Sequence, residues 1–439
     1  MTTEIIGLVM LGVLVLMVIC GVHLGFAMMF LAVVFGLIYR GPAVFSLFMQ
    51  NTYGVMENEI LIAVPLFVLM GAILETSGAA ERLFNTMFQL LGPARGGLAI
   101  TTIIISTIFA ACTGVIAASV TMMALIALPA MVKRGYNHGL ATGVVCAGGT
   151  LGILIPPSVM LVMMGPMSNL SVAHLLAGAV FPGLLLATFY LLYVGVRCWV
   201  QPAAGPAISI AERKDAKGRL LIDALLYMLP MIFLLVAVMG SILAGVTSPT
   251  EASALGAVGA MLVAFLYRTL NLATLRRAVY ETLLVTAMVF FVIVGASMFT
   301  SMFLYTRGGS IIEQFVLELP VSRWVILALM MFIVFILGML IDWIGILFIT
   351  LPIFLPIATK LGFNPLWFVE LIAVNLQMSF LTPPFAYAIF FVKGVAPPEV
   401  TTQEIYWGVI PFVALQALGL ALCIIFPDII LWLPGLTGK

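Results

Sequence analysis

An all-α, polytopic membrane protein is the fold class this sequence predicts, on three observations. Of its 439 residues, 64% are hydrophobic and 8% charged, where a soluble globular protein carries roughly 25% charged residues. Mean hydropathy is +1.27. Runs such as Ile5 to Ile19 and Leu221 to Leu243 are long enough to cross a hydrocarbon core roughly 30 Å thick. The same numbers exclude other classes. A net charge of +1, with no basic cluster larger than Arg213, Lys214, Lys217 and Arg219, leaves no electrostatic footprint for nucleic acid. Cys20, Cys112, Cys146, Cys198 and Cys423 lie in apolar runs without CxxC or Cys/His spacing, and are expected to be buried small hydrophobes. His23, His138 and His174 lack metal-ligand spacing. The start, MTTEIIGLVM, has neither the basic stretch nor the cleavage site of a secretory signal, so the first apolar run is expected to be a membrane helix.

Hydrophobic segments fall at about 5–20, 22–38, 60–74, 97–112, 114–132, 139–155, 175–199, 221–244, 252–268, 283–304, 324–341, 343–359, 366–382 and 404–434. Residues 200–220 form the one extended polar stretch, a linker between a first half, 1–199, and a second, 221–439. Its basic bias favours the cytoplasmic side, as does that of Lys133 and Arg134. Placing both on one side requires an even number of crossings between them, and the segments alone leave that open. Sliding the chain by 227 positions carries LPAMVKRGYN (Leu128 to Asn137) onto LPIATKLGFN (Leu355 to Asn364), and Pro156-Pro157 onto Pro383-Pro384. Several Pro, Gly and Asn matches at one offset indicate an internal duplication, a common way to build a transporter.

Each Pro-Pro pair interrupts a run that otherwise reads as membrane helix. Consecutive prolines remove two N–H donors and push the preceding residue out of the helical region. In hydrocarbon the freed carbonyls cost several kcal/mol each, so such a break belongs in a protein interior. The flanking sequences, CAGGTLGILIPPSVMLVMMGPMSNLS and NLQMSFLTPPFAYAIFFVKGVAPP, predict two re-entrant hairpins, at about 139–170 and about 366–396. Half-helix N-termini there suit a carboxylate, and unwound carbonyls and hydroxyls suit Na⁺. Polar neighbours are Thr150 and Ser158 in the first, and Asn375, Gln377, Ser379 and Thr382 in the second. Each alone reads as a helix–helix hydrogen bond; converging on two tips, they read as ion or substrate contacts.

The segment before each hairpin is also interrupted by Gly and Ser/Thr: Ser106, Thr113, Gly114 and Ser119 in the first half, and Gly338, Asp342, Gly345 and Thr350 in the second. Asp342 stands in a long apolar run, where an ionisable residue is a functional candidate; a place in a boundary loop fits its sequence equally. Glu75, Glu81 with Arg82, and Glu281 with Arg276 and Arg277 fall at segment ends and read as solvated charges. Glu251 after Ser248 and Pro249 reads as a helix start. No GxxxxGKS/T, GxGxxG or nucleophile elbow occurs, so the chain does not itself consume ATP. Transport work then comes from an ion gradient or another subunit.

At these residues the sequence resembles a family, the large membrane subunit (DctM-like) of the tripartite ATP-independent periplasmic (TRAP) transporters. The markers are PLFVLMGAILETSGAAERLF (Pro65 to Phe84), GGLAI (Gly96 to Ile100), LPAMVKRGY, GTLGILIPPS (Gly149 to Ser158), LLAGAVFPG (Leu175 to Gly183), TSPTEA (Thr247 to Ala252) and FLTPPFAYAIFFVKGVAP (Phe380 to Pro397). The last block is similar to the mannitol/chloroaromatic-compound branch. The resemblance implies a non-enzymatic, Na⁺-driven importer of an organic acid in the bacterial inner membrane, working by an elevator motion of inverted repeats against scaffold helices. No organic cofactor is implied. Partners would be a small four-helix membrane subunit and a periplasmic substrate-binding protein. Carried over by motif, one Na⁺ site would lie near Ser106, Thr113, Gly149, Thr150 and Ser158, and another near Gly338, Asp342, Gln377 and Thr382. Substrate would sit between the tips, at Ser158, Asn375, Ser379, Thr382 and Phe385, with Pro156, Pro157, Pro383 and Pro384 as the breaks. Met164 and Phe385-Ala386 depart from what many members carry there, so substrate identity does not transfer. A stand-alone Na⁺/carboxylate symporter and an integral-membrane enzyme are the alternatives; the second would need clustered Asp, His or Glu.

Overall fold

The computed structural model describes residues 3–207 and 217–437, and they are helical throughout. The central part of the expected linker, 208–216, lies outside the described residues. The first half runs α1 (Thr3–Ile19), α2 (Leu24–Arg40), α3 (Val44–Met56), α4 (Ala63–Thr76), α5 (Ala79–Leu91), α6 (Gly97–Thr113), α7 (Ile116–Val132), α8 (His138–Thr150), α9 (Val159–Ser168) and α10 (Val172–Val200). The second runs α11 (Lys217–Leu243), α12 (Pro249–Leu266), α13 (Leu272–Tyr305), α14 (Gly308–Glu318), α15 (Arg323–Gly338), α16 (Trp343–Lys360), α17 (Pro365–Ser379), α18 (Tyr387–Val395), α19 (Thr402–Ile425) and α20 (Asp428–Thr437). Among the described residues, eight stretches are long and apolar enough to cross a membrane; α1, α6, α7, α8, α9 and α15 are apolar but shorter.

Helices α2, α4, α11, α12 and α13 pack on one another and turn Phe233, Leu262 and Phe265 outward. Such an outer face suits lipid, which solvates apolar side chains where water would not. Helices α6 to α10 and α15 to α20 form a second group, joined to the first through α4 against α6 and α13 against α16. Ser248 and Glu251 form a capping box that starts α12, as expected from their sequence, and Arg277 pairs with Glu281 on the exposed side of α13. Four of the cysteines are buried; Cys20 is exposed, which departs from the expectation and follows from its place in the turn after α1.

The chain doubles back one element earlier in each half than the sequence reading placed it. The Leu98 amide at the start of α6 donates to the hydroxyl of Tyr136, just past the end of α7, at 3.2 Å. Helices α6 and α7 are therefore the two arms of a re-entrant hairpin. Its tip is Thr113-Gly114-Val115, where Gly114 takes φ +61°, a left-handed value that glycine adopts without steric cost. In the second half, Trp324 at the start of α15 stacks edge-on against Phe363, beyond the end of α16, with centroids 5.3 Å apart. Helices α15 and α16 form the second hairpin, with its tip at Met339–Asp342. Each arm is about 25 Å long at 1.5 Å per residue, so both tips lie deep in the membrane.

The Pro-Pro segments, expected as hairpins at 139–170 and 366–396, are instead interrupted crossings. Helix α8 starts where His138 meets Glu404 at the head of α19, at 3.0 Å. After the break, α9 ends beside Thr359 and Lys360, at the end of α16. Helix α17 starts where the Trp367 indole donates to the Cys423 carbonyl near the tail of α19, at 2.9 Å, and α18 runs on toward the head of α19. The opposite ends of α19 thus mark the opposite ends of the two crossings. The reversal falls to Gly114 in the first half and to the loop before Asp342 in the second.

The geometry also resolves the parity left open by the sequence. Asn137 and Gly96 donate to the carbonyls of Ala204 and Gly205, at 3.0 and 2.9 Å, so Lys133, Arg134 and the start of the linker lie at one end. Two crossings separate them, α8–α9 and α10. That end also carries Arg82, bonded to the Tyr267 carbonyl, with Arg95, Arg197, Arg268, Arg276, Arg277 and Lys393. The other end carries Arg40, Arg307, Arg323 and Lys360.

Helices α8 and α19 touch backbone to backbone. A methyl group on Gly408 would lie 2.1 Å from the Gly139 carbonyl oxygen, and one on Gly143 would lie 2.2 Å from that of Gly408. Gly408→Leu is expected to destabilise the protein by about 1–3 kcal/mol through overpacking, read as a lower unfolding temperature in detergent. Gly240→Leu, with nothing within 4 Å of its would-be methyl, should leave that temperature unchanged.

Candidate functional site

Each hairpin tip abuts a Pro-Pro break, and the polar side chains expected at the site gather there. In the first half, a methyl on Gly114 would sit 3.2 Å from the Pro157 carbonyl oxygen and 3.2 Å from the Val159 amide. The absence of a side chain lets the tip lie directly on the break. Ser106 on α6 faces Gly148 on α8, whose would-be methyl lies 2.8 Å from the Ser106 hydroxyl. The Ser119 hydroxyl on α7 donates to the Gly149 carbonyl at 2.8 Å. Ser106, Thr113, Gly149 and Thr150 are all buried, on helices α6 and α8, which pack on each other.

Their hydroxyls differ in what they are free to do. Those of Ser106 and Thr113 are buried without a protein hydrogen-bond partner. Thr150 donates to Ala147 one turn back. Ser158 is fully buried, donates to the Ile153 carbonyl and accepts from Leu161 as the N-cap of α9. Its hydroxyl bridges the break to the start of α9. Both Pro-Pro peptide bonds, Pro156-Pro157 and Pro383-Pro384, are cis.

The second half repeats the logic with different chemistry. A methyl on Gly338 would clash at 2.3 Å with the Ser379 side chain, and the Ser379 hydroxyl donates to the Phe335 carbonyl at 3.2 Å. The Asn375 amide donates to the Met331 carbonyl at 2.6 Å. Asn375 and Ser379 thereby tie α17 to α15 and serve the packing of the tip. The Phe385 amide, inside the break, donates to the Met339 carbonyl of the tip at 3.0 Å. Asp342 is the N-cap of α16, accepting from the Ile344 amide at 3.4 Å, and the Tyr387 side chain faces it. It therefore stands at the hairpin tip; a boundary loop is not its place. Thr382 donates back to Met378. Both amide atoms of Gln377 are buried without a partner, as is the carbonyl oxygen of Asn375.

The two breaks differ in access. The first is buried along its length, whereas Pro383, Pro384 and Phe385 are exposed, Phe385 by 55%. The two sets also interlock, since α7 packs on α18 and α16 packs on α9. Unpaired hydroxyl and amide oxygens beside unwound carbonyls form the hard, neutral oxygen environment a monovalent cation prefers.

Sequence reasoning missed three residues here. Glu370 is fully buried in α17 with both carboxyl oxygens unpartnered, beside Gly178 of α10. Its signal was present, an ionisable residue inside WFVELIAV, and Asp342 was singled out in its place. Gln416, buried on α19 and donating to the Tyr190 hydroxyl at 2.7 Å, had no motif to mark it. Tyr387 was visible only as one more aromatic.

A chain of apolar helices with two mid-membrane breaks, each covered by a re-entrant tip, is a membrane transport protein. The profile of the tripartite ATP-independent periplasmic transporter DctM component matches residues 11–429, and the chain belongs to that family. It is 32% identical over 387 residues to the C4-dicarboxylate TRAP transporter large permease protein DctM of Pseudomonas aeruginosa, covering 87% of this chain and 88% of that one. It is 28% identical to the sialic acid TRAP transporter large permease protein SiaM of Vibrio cholerae, over 95% of each. Among solved structures, the Alcanivorax borkumensis YdaH transporter superposes with a TM-score of 0.65, covering 94% of this chain and 99% of that one at 14% identity; that likeness concerns the fold. The relatives are transport proteins, and this chain is a multi-pass permease subunit with no enzymatic role.

Ser119→Ala removes the hydroxyl that joins α7 to the end of α8 and leaves the Gly149 carbonyl short of a donor. The expected loss is about 1 kcal/mol, measured as a lower unfolding temperature. Tyr387→Phe should leave folding intact and weaken transport, because Asp342 loses a partner that orients it at the tip.

Proposed function

We propose that this chain imports an organic acid across the bacterial inner membrane, coupled to Na⁺, by an elevator motion. In this reading α6 to α10 and α15 to α20 are the moving body, and α1 to α4 with α11 to α13 are the scaffold. The two halves are then inverted repeats, 1–199 and 221–439. Several correspondences at the 227-residue offset support that relation. Asn137 and Asn364 each cap the next helix by accepting an amide three residues on. Gly135 and Gly362 both take left-handed φ, +73° and +79°. Helices α8 and α17 start at matching positions and run from opposite ends of the molecule.

The observation that carries the Na⁺ reading is the set of buried, unpartnered oxygens of Ser106, Thr113, Asn375 and Gln377 on α6 and α17, the helices that lead to the first tip and the second break. Neutral oxygens satisfy a cation that must later leave. Each Na⁺ entering down 100 mV supplies about 2.3 kcal/mol. The organic-acid cargo is supported by relatives named for C4-dicarboxylate and sialic acid transport, with the exposed second break, at Thr382 and Phe385, as its contact. Glycine-lined tips permit a substrate to approach backbone amides. The Phe380–Pro397 block supports the mannitol/chloroaromatic-type branch.

A small membrane subunit and a periplasmic binding protein complete the transporter in this reading. The family is that of tripartite, periplasmic transporters, and the isethionate TRAP transporter permease protein DctMQ of Oleidesulfovibrio alaskensis is a longer chain, 60% of which this chain covers. The richly basic end faces the cytoplasm under the positive-inside rule. Hairpin α6–α7 then opens to the cytoplasm and α15–α16 to the periplasm.

Two measurements test this reading. In proteoliposomes with the purified partners, uptake is expected only with an inward Na⁺ gradient, and Ser106→Ala or Gln377→Leu should raise the half-saturating Na⁺ concentration about tenfold, roughly 1.4 kcal/mol. Na⁺-independent uptake would overturn the coupling. For orientation, a membrane-impermeant maleimide should label Glu57→Cys in spheroplasts, and Arg95→Cys only after permeabilisation; the reverse pattern inverts the topology.

A further inference from the structure

Two cavities adjoin at the end of the molecule that carries Lys360. One, about 430 Å³, runs along the second half of α16 against the last turn of α9, lined by Met167, Leu351, Pro352 and Leu355, with Thr359 and Lys360 at its rim. The other, about 440 Å³, lies between α14 and Lys360 and is lined by Ser310, Glu313, Gln314 and Glu318. Lys360 lines both, and its ammonium group pairs with Glu313.

The pair of cavities spans two chemical levels of a bilayer. Helix α14 is amphipathic, with Phe315 exposed and Glu313, Gln314 and Glu318 beside it, and Trp324 is exposed just beyond. That composition belongs at the headgroup level, where aromatic and charged side chains concentrate. From Lys360 to Leu351 helix α16 descends roughly 14 Å, which takes the apolar trough well into the hydrocarbon level.

We propose that this groove binds a phospholipid with a primary amine in its headgroup, of the phosphatidylethanolamine type. One acyl chain lies along Met167, Leu351 and Leu355. The phosphate meets Lys360, and the ammonium group meets Glu313 and Glu318. Charge complementarity selects this occupant. Two carboxylates beside one ammonium disfavour an anionic lipid, and the carbonyl-bearing C-terminal ends of α9 and α16 do so further. A choline headgroup has no N–H to donate to the carboxylates, which a primary ammonium does. A free dicarboxylate would meet Glu313 and Glu318 beside the one ammonium group and has no acyl chain to fill the apolar part of the trough. Bound there, the lipid joins α14 to the body formed by α9 and α16.

Native mass spectrometry of the purified protein with dioleoyl phosphatidylethanolamine, phosphatidylcholine or phosphatidylglycerol tests the proposal. Wild-type protein should retain the ethanolamine lipid about fivefold better than the other two, equivalent to roughly 1 kcal/mol. Leu355→Trp, which fills the trough, should lose that retention. The surface double variant Glu313→Gln/Glu318→Gln should keep its fold and lose the preference over phosphatidylcholine, which decides the matter if Leu355→Trp fails to fold. Equal retention of the three lipids, a preference for phosphatidylglycerol, displacement of the lipid by succinate, or a preference unchanged in the double variant would each overturn it.

Discussion

Backbone carbonyls and amides cannot be left unpaired in hydrocarbon without a cost of several kcal/mol each, and this chain breaks its own helices in mid-membrane. The rest of the architecture follows from how those breaks are covered. The non-helical Pro-Pro backbone between α8 and α9 is sealed by the tip at Gly114 and by the Ser119 and Ser158 hydroxyls. The break between α17 and α18 is tied through the Phe385 amide to the Met339 carbonyl, with Ser379 and Asn375 holding the adjoining helices together. A re-entrant hairpin is what makes this possible, because only a tip can bring backbone end-on to a break without adding another full crossing.

The same constraint accounts for the glycines and for the scarcity of charge. Where tip meets break, or α8 meets α19, backbones approach closely, so Gly114, Gly143 and Gly408 stand there, and Gly338 leaves room for the Ser379 side chain. With 8% charged residues, the oxygens around the breaks are mostly neutral hydroxyls, amides and carbonyls. Neutral ligands hold a cation more weakly than carboxylates do, which suits a site that must release what it binds. Glu370 stands apart as a buried carboxyl with no hydrogen-bonding neighbour, and neutral surroundings of this kind are costly to an ionised group.

Much of the molecule was legible in its sequence. The class followed from apolar run lengths, and the locations of the breaks from consecutive prolines. Ser106 faces Gly148 and Gly338 lies against Ser379, each on the helix that leads to its tip. Glu251 capped its helix as read, through local hydrogen bonding that sequence spacing alone dictates. What was misassigned is the direction the chain takes at each interruption. Gly114 and Pro157 both announce a break, and nothing local says which one reverses the chain. At Ser158, Asn375 and Ser379 a polar side chain in an apolar run has the same signature whether it faces a substrate or a neighbouring carbonyl.

Local chemistry, then, was determined by the sequence itself: which segments are helical, where they cannot continue, and which ends carry positive charge. Proline geometry, capping and hydrophobicity act within a few residues, so they are written in order along the chain. Tertiary structure decided which helices fold back, which cross, that Lys133 and the linker share one end, and that Glu370 lies alone against Gly178. These depend on contacts between residues tens to hundreds of positions apart, where the partner of a given hydroxyl or carbonyl is selected by packing.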